Sequence, residues 1–351
     1  MRRHARIHKI MTAVLVTGAV TWAMPSVAAQ EQPLEVASAD VINGVRAQLA
    51  SLGVQTAPVD PALTDAVDQA IITHLPNTRL REEPAPAPYA NGEAWVEGAE
   101  AALDQNYLWT DHPIDKAMAG KPAAEWVLHR VPGSWFDAPR IPEESVVVQN
   151  QDKSLYGPGT PIFVGDQMMC TLGVVGTDAA GRKVGITAGH CGDPGDKVWS
   201  ADSWQVGASG TVAASNKLHD YSVIELGSNT EISRTYNGVT VNSVGGPVVP
   251  GQMLCKQGVA TGTTCGHVWS ADEAMQISQL CAMVGDSGAP VLAGDRMVGM
   301  VSGGVLADQR YSCRTPLQGG LFMPTVSTNV DNVLADMNNR GGVGAGFHLA
   351  D

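Results

Sequence analysis

No cysteine occurs before position 170, and no two cysteines anywhere are spaced Cys-x-x-Cys. A His-Glu-x-x-His helix is missing too, so the usual sequence signatures of zinc are absent and no metal or cofactor is expected. Basic charge is scarce: the net charge of −13 argues against a nucleic-acid binder, which carries a clustered basic face. Only 16% of residues are charged and 39 are glycine, a composition that suits a loop-rich globular protein. At 351 residues there is room for two domains, or for one domain with a sizeable extra segment.

A long apolar run is found only at the start. Arg2, Arg3, Arg6 and Lys9 precede the apolar stretch from Ile10 to Met24, and Val27-Ala28-Ala29 supplies small residues for cleavage. This pattern predicts an export signal over 1–29 and a new N-terminus at Gln30; an uncleaved anchor is the alternative. No later segment approaches a membrane span, so no membrane association is expected after signal removal. In an exported chain the six cysteines, 170, 191, 255, 265, 281 and 313, read as three disulfides, with buried free thiols or a metal site as the alternatives. Spacing alone leaves their pairing open.

The chain changes character near residue 155. Residues 30–154 hold 19 Asp and Glu against 8 Lys and Arg; from 155 onward the counts are 16 and 10. Helical spacing recurs in the acidic part: Val41, Val45, Leu49 and Leu52, then Leu63, Val67, Ile71 and Leu75 after Asp60-Pro61, and again from Trp95 to Leu108. A Pro-Ala linker spans Glu82 to Asn91, and a proline-punctuated stretch runs from Val131 to Pro142. Beyond 155 come short β-rich runs: Thr171–Val175, Lys183–Ile186, Tyr221–Leu226, Val239–Val241 and Met297–Val301, as in an antiparallel barrel or sandwich. One helix is expected over Thr328–Arg340, then a mobile glycine-rich tail over 341–351.

Three segments carry chemistry that fits a single reaction. Thr187-Ala188-Gly189-His190-Cys191 places an imidazole at the end of a strand. Asp220-Tyr221-Ser222-Val223-Ile224 sets a carboxylate before a buried run. Gly285-Asp286-Ser287-Gly288-Ala289-Pro290 offers a hydroxyl among small residues. A serine hydroxyl needs a base to take its proton, and a carboxylate holds that base in the right tautomer. Gly285 would let its own N–H and that of Ser287 aim at the developing oxyanion. The order His, Asp, Ser, and the absence of Gly-x-Ser-x-Gly, disagree with an α/β-hydrolase.

Residues 160–340 resemble the bacterial branch of the trypsin/chymotrypsin family, of the streptogrisin and α-lytic protease type. The resemblance implies an all-β fold, two antiparallel β-barrels and a C-terminal helix, preceded by a helical pro-segment. It implies bonds Cys170–Cys191, Cys255–Cys265 and Cys281–Cys313. It makes Ser302-Gly303-Gly304 the substrate-binding strand, with Ser302 also donating to Asp220. Lys256 stands where relatives have an arginine paired with the Asp beside the nucleophile, so a Lys256–Asp286 ion pair is expected. Ala289 replaces a second glycine. Gln279 falls at the pocket floor where trypsin-like relatives place Asp, and Val301 where Glu-preferring relatives place His. With Leu280, Ala282 and Val305 as lining, preference is expected for an apolar residue before the scissile bond.

His219 is expected on the opposite face from Asp220, His267 and Trp269 in loop packing, and Asp193 and Asp196 in a turn. The sequence is therefore expected to encode a monomeric secreted serine endopeptidase. Its segments would be a signal (1–29), a pro-segment (30–155) acting as folding aid or inhibitor, the protease domain (156–340) and the tail (341–351). Its partners would be protein or peptide substrates. A catalytically silent binding protein on the same fold is the rival.

Overall fold

Strand pairing brings together residues far apart in the chain, and the register of two pairs sets the site. The computed structural model describes residues 107–165, 168–306 and 308–351, all within one compact unit. The expected signal, the helices over 41–52 and 63–75 and the linker lie outside the described residues, as does all but the end of the one expected over 95–108.

The first half of the fold holds β1 (Pro161–Val164), β2 (Met168–Thr171), β3 (Val174–Thr177), β4 (Lys183–Thr187), β5 (Lys197–Ser200), β6 (Gly210–Asn216) and β7 (Tyr221–Leu226). The second holds β8 (Met253–Gly258), β9 (Gly262–Ala271), β10 (Met275–Ser278), β11 (Pro290–Ala293), β12 (Arg296–Gly304) and β13 (Thr325–Asn329). A last strand, β14, covers His348–Leu349. The first sheet runs β14-β3-β4-β7-β6-β5-β1-β2, a half-barrel. The second runs β12-β11-β8-β9-β10-β13 and closes because β12 also pairs with β13. The run read as one strand over Thr171–Val175 is divided between β2 and β3.

Each half has its own apolar interior. Ile162, Val164, Leu172, Val175, Val198, Val212 and Ile224 fill the first, and Leu254, Val268, Leu280, Val291 and Val298 fill the second. A third cluster joins the halves: Val174, Val184, Ile186 and Val223 pack with Met297, Met300, Val333 and Met337. Burying one such side chain contributes about 1.5–3 kcal/mol, so the halves are held in a fixed relation. Val333 and Met337 come from the C-terminal helix Val330–Arg340. It begins two residues later than its apolar spacing suggests, because β13 continues to Asn329, whose side chain then accepts the Asp331 N–H at 3.0 Å.

Two stretches differ from the sequence reading. Residues 341–351 form β14 on β3; the Gly344 N–H donates to Asp178 at 3.1 Å, and Ala350 is buried. Glycines here allow close backbone approach, where composition suggests only mobility. Residues 107–155, grouped by composition with a helical segment, hold just two short helices, Pro113–Met118 and Glu143–Gln149. They also form a ladder of Leu108–Thr110 with Val127–His129. Ser154–Tyr156 pairs in parallel with Thr230–Ile232.

Candidate active site

β4 and β7 are antiparallel, with Ser222 opposite Thr187. The chain therefore leaves the sheet after Thr187 at the same end at which it enters before Tyr221. His190 lies on a 3-10 turn after β4, and Asp220 sits in the turn before β7. Asp220 has φ 45°, a left-handed conformation uncommon for a residue with a side chain. Its Oδ1 accepts the His190 backbone N–H at 2.9 Å. The His190 Nδ1 lies 3.0 and 3.1 Å from the two carboxylate oxygens. Ser302 donates its hydroxyl to Asp220 Oδ2 at 2.5 Å. Burial pushes the Asp220 carboxyl up, but the hydrogen bonds from His190 and Ser302 outweigh it and hold the group below the usual carboxylate range.

Across the junction of the halves, His190 Nε2 lies 2.7 Å from Ser287 Oγ. Ser287 comes from the loop that enters β11. Gly288 explains the small residue after it: φ is 83°, and a Cβ there would lie 2.1 Å from Thr187 Oγ1. Gly285, with φ 96°, turns the chain just before. Among the described residues neither the Gly285 nor the Ser287 backbone N–H donates to another backbone group.

Asp286 points the other way, into the interior. Its Oδ1 accepts from Ala260 N at 2.9 Å, and its Oδ2 from Thr261 Oγ1 at 2.7 Å. Lys256 Nζ reaches the same Oδ2 at 3.2 Å and also donates to Gly262 O at 2.8 Å and to Thr261 Oγ1. Both charged side chains are fully buried. Burial draws the Lys256 ammonium below the usual lysine range, countered in part by Asp286. The interior pair fixes the turn that carries Gly285. Cys170 is bonded to Cys191, Cys255 to Cys265 and Cys281 to Cys313, so one bridge pins the histidine turn to β2. Ala289 is completely buried among the apolar residues of the second barrel.

No family model matches the chain. Serine protease 2 of Streptomyces fradiae is 27% identical over 173 residues, 45% of this chain and 96% of that protein. Over nearly the whole length of that serine protease, the chain resembles it. An uncharacterized protein of Mycobacterium tuberculosis is 35% identical over 161 residues, 42% of this chain and 71% of that one. Among solved structures, Thermobifida fusca protease A is 25% identical with TM-score 0.45, covering 56% of this chain and all of that one. For α-lytic protease homolog N4 the figures are 24%, 0.42, 53% and 98%.

Ser302-Gly303-Gly304 forms the end of β12. Its pairing with β11 stops at Met300 while that with β13 continues to Gly304. Gln279 lines an open cavity of about 490 Å³ with Phe136, Cys281, Cys313 and Phe322, a lining that does not include His190 or Ser287. There its amide donates to Gly320 O and Phe322 O, both at 3.1 Å. Leu280 faces the core of the second barrel and is wholly buried, so it cannot line a substrate pocket. Against Gly304 lies instead the side chain of Met323.

His219 is half-buried in a turn rather than on a strand. His267 is exposed with Nδ1 3.1 Å from Gly251 O, Trp269 is exposed, and the Asp193 N–H donates to Asp196 at 2.7 Å. Sequence reasoning passed over three supports. Thr171 donates to Gly285 O at 2.8 Å. Thr261 bonds Asp286. Lys217 donates to Gly189 O at 2.7 Å, under the histidine turn. Lone threonines and a surface lysine carry no signal in sequence, since their partners lie far along the chain.

Proposed function

We propose that this chain is an exported serine peptidase that works through an acyl-enzyme, with Ser287 as nucleophile, His190 as base and Asp220 as the group orienting it. One observation carries the reading: a hydroxyl, an imidazole and a carboxylate in line at 2.7 and 3.0 Å. Ser287 Oγ attacks the substrate carbonyl while its proton passes to His190 Nε2. Asp220, accepting from Nδ1–H, stabilises the imidazolium that forms. The carbonyl oxygen, now negative, takes the N–H groups of Gly285 and Ser287; losing one such donor raises a barrier by roughly 3–4 kcal/mol. The C–N bond then breaks, and His190 returns the proton to the leaving nitrogen. Water, activated by the same imidazole, releases the acyl group from Ser287.

Three disulfides and the apolar run behind Arg2, Arg3, Arg6 and Lys9 support secretion. The acidic chain that starts at residue 30 supports synthesis as a zymogen, with that part acting on its own protease as folding aid or inhibitor. Ser302-Gly303-Gly304 is the strand edge to which the acyl half of an extended peptide adds. A fluorophosphonate probe applied to the secreted protein tests the assignment. One adduct on the peptide containing Ser287, lost in Ser287→Ala, is the expected result; an adduct that persists in that variant contradicts it.

A further inference from the structure

The cleft is open at one end and closed at the other. A carbonyl carbon on Ser287 Oγ, its oxygen toward Gly285 and Ser287, has its acyl half alongside Ser302-Gly303-Gly304. There Gly303 is exposed, and the His190 side chain is 43% exposed. The leaving group must depart on the far side, past the Cys170–Cys191 bridge, between β2 of the half-barrel and the Val259-Ala260 turn beside Gly285. The protein's own chain lies beside Gly285 on that side. Val131 is 5% exposed and packs in one apolar cluster with Phe163, Met169 and Ala201 on one side and Val259, Ala260 and Met283 on the other. It also lies on the α-carbon of Gly285, where an added Cβ would come within 2.7 Å of Val131 Cγ2.

The segment carrying Val131 is bound to both halves. Next to it, Arg130 forms an ion pair with Asp202 of the first half at 2.6 Å, each side chain 1% exposed. The Arg130 guanidinium lies 5.0 Å from the Tyr107 ring centre. Toward the second half, Ser134 donates its hydroxyl to Ala260 O at 2.6 Å, the Trp135 N–H donates to Arg314 O at 2.8 Å, and Thr315 donates to Met118 O at 2.5 Å. Removal of this stretch would take from Asp202 its ionic partner, leaving the Tyr236 hydroxyl as a donor to its carboxylate. It would also uncover the cluster around Met169 and Met283.

Resting on the triad reading above, we propose that residues 107–142 stay in the active enzyme as a strap whose Val131 walls off the leaving-group side. The preferred substrates are then esters and amides with short leaving groups, at most one residue beyond the scissile bond, rather than the interior of long chains. Processing of the acidic leader falls before Tyr107.

The test uses protein secreted from the full-length gene. Intact mass and N-terminal sequencing are expected to place the mature start before Tyr107; a start beyond Pro142 overturns the proposal. A panel of acyl tetrapeptides, varied in the last residue, is then offered in two forms: as p-nitroanilides, and as quenched peptides with four further residues after the bond. The extended form is expected to show kcat/KM lower by about tenfold or more, and Val131→Gly is expected to narrow that gap. The wild-type ratio decides the matter even if the variant does not fold. Equal or faster cleavage of the extended form, with Ser287 labelled by the phosphonate, overturns the strap and leaves the triad standing. A labelled Ser287 with neither form cleaved overturns the strap also. Absence of both label and turnover overturns both.

Discussion

Asp220 is held by three donors, and each acts on its charged form. Its backbone is in the left-handed region, an arrangement kept only where the surroundings demand it. Because the folded carboxyl titrates below the ordinary value of about 4, it binds fewer protons than the unfolded chain does in that interval. Its contribution to stability is thus fully present above the ordinary range and is lost as pH falls through the lowered folded value. Ser302→Ala removes one donor, so the folded value rises. In a Ser287→Ala background, which prevents self-digestion, urea unfolding is expected to show Ser302→Ala less stable by about 1.5–3 kcal/mol at neutral pH. The gap should narrow on acidification. A difference that stays constant or widens toward acid would show that Ser302 acts otherwise. The three positions proposed for the triad stand out in the sequence because small residues around them are imposed by contact, as at Gly288 against Thr187. Thr171 and Thr261 were not readable, since a threonine in or beside a strand is ordinary there.

At the scale of elements, short β-rich runs located a few strands, such as β4, β7 and β12, and apolar spacing located the C-terminal helix. The tail departs from the expectation for a physical reason: Val343, Phe347 and Leu349 pack on the core, and one carboxylate ties down its backbone. Asp178 accepts from the backbone N–H of Ala180, Arg182 and Gly344 and from the Arg182 side chain at 2.7 Å, tying residues 341–351 to the turn between β3 and β4. Burial raises the Asp178 carboxyl, and these donors, Gly344 foremost, bring it below its usual range. Asp178→Ala leaves buried donors unmatched, at a cost of about 1–3 kcal/mol. The urea midpoint should fall, and carboxypeptidase should trim the C-terminus faster. Trimming at the wild-type rate would mean that strand pairing and apolar packing hold β14 without the carboxylate. Residues 107–155 were likewise illegible, because Arg130 and Val131 find their partners far along the chain, at Asp202 and beyond.

For the whole molecule, the groups proposed to react are divided between the halves: His190 and Asp220 on the first, Ser287 and Ser302 on the second. The shared cluster around Ile186, Val223, Met300 and Met337 therefore sets the distance between base and nucleophile, and the strap holds the same junction from outside. The central claim is that this junction makes a covalent acyl-enzyme at Ser287. Pre-steady-state hydrolysis of an activated ester measures it most directly. The account predicts a burst of leaving group equal to the concentration of enzyme, followed by slower turnover, with the burst gone in Ser287→Ala. A linear time course from the first turnover, together with no acyl adduct at Ser287 on acid quenching, would contradict it.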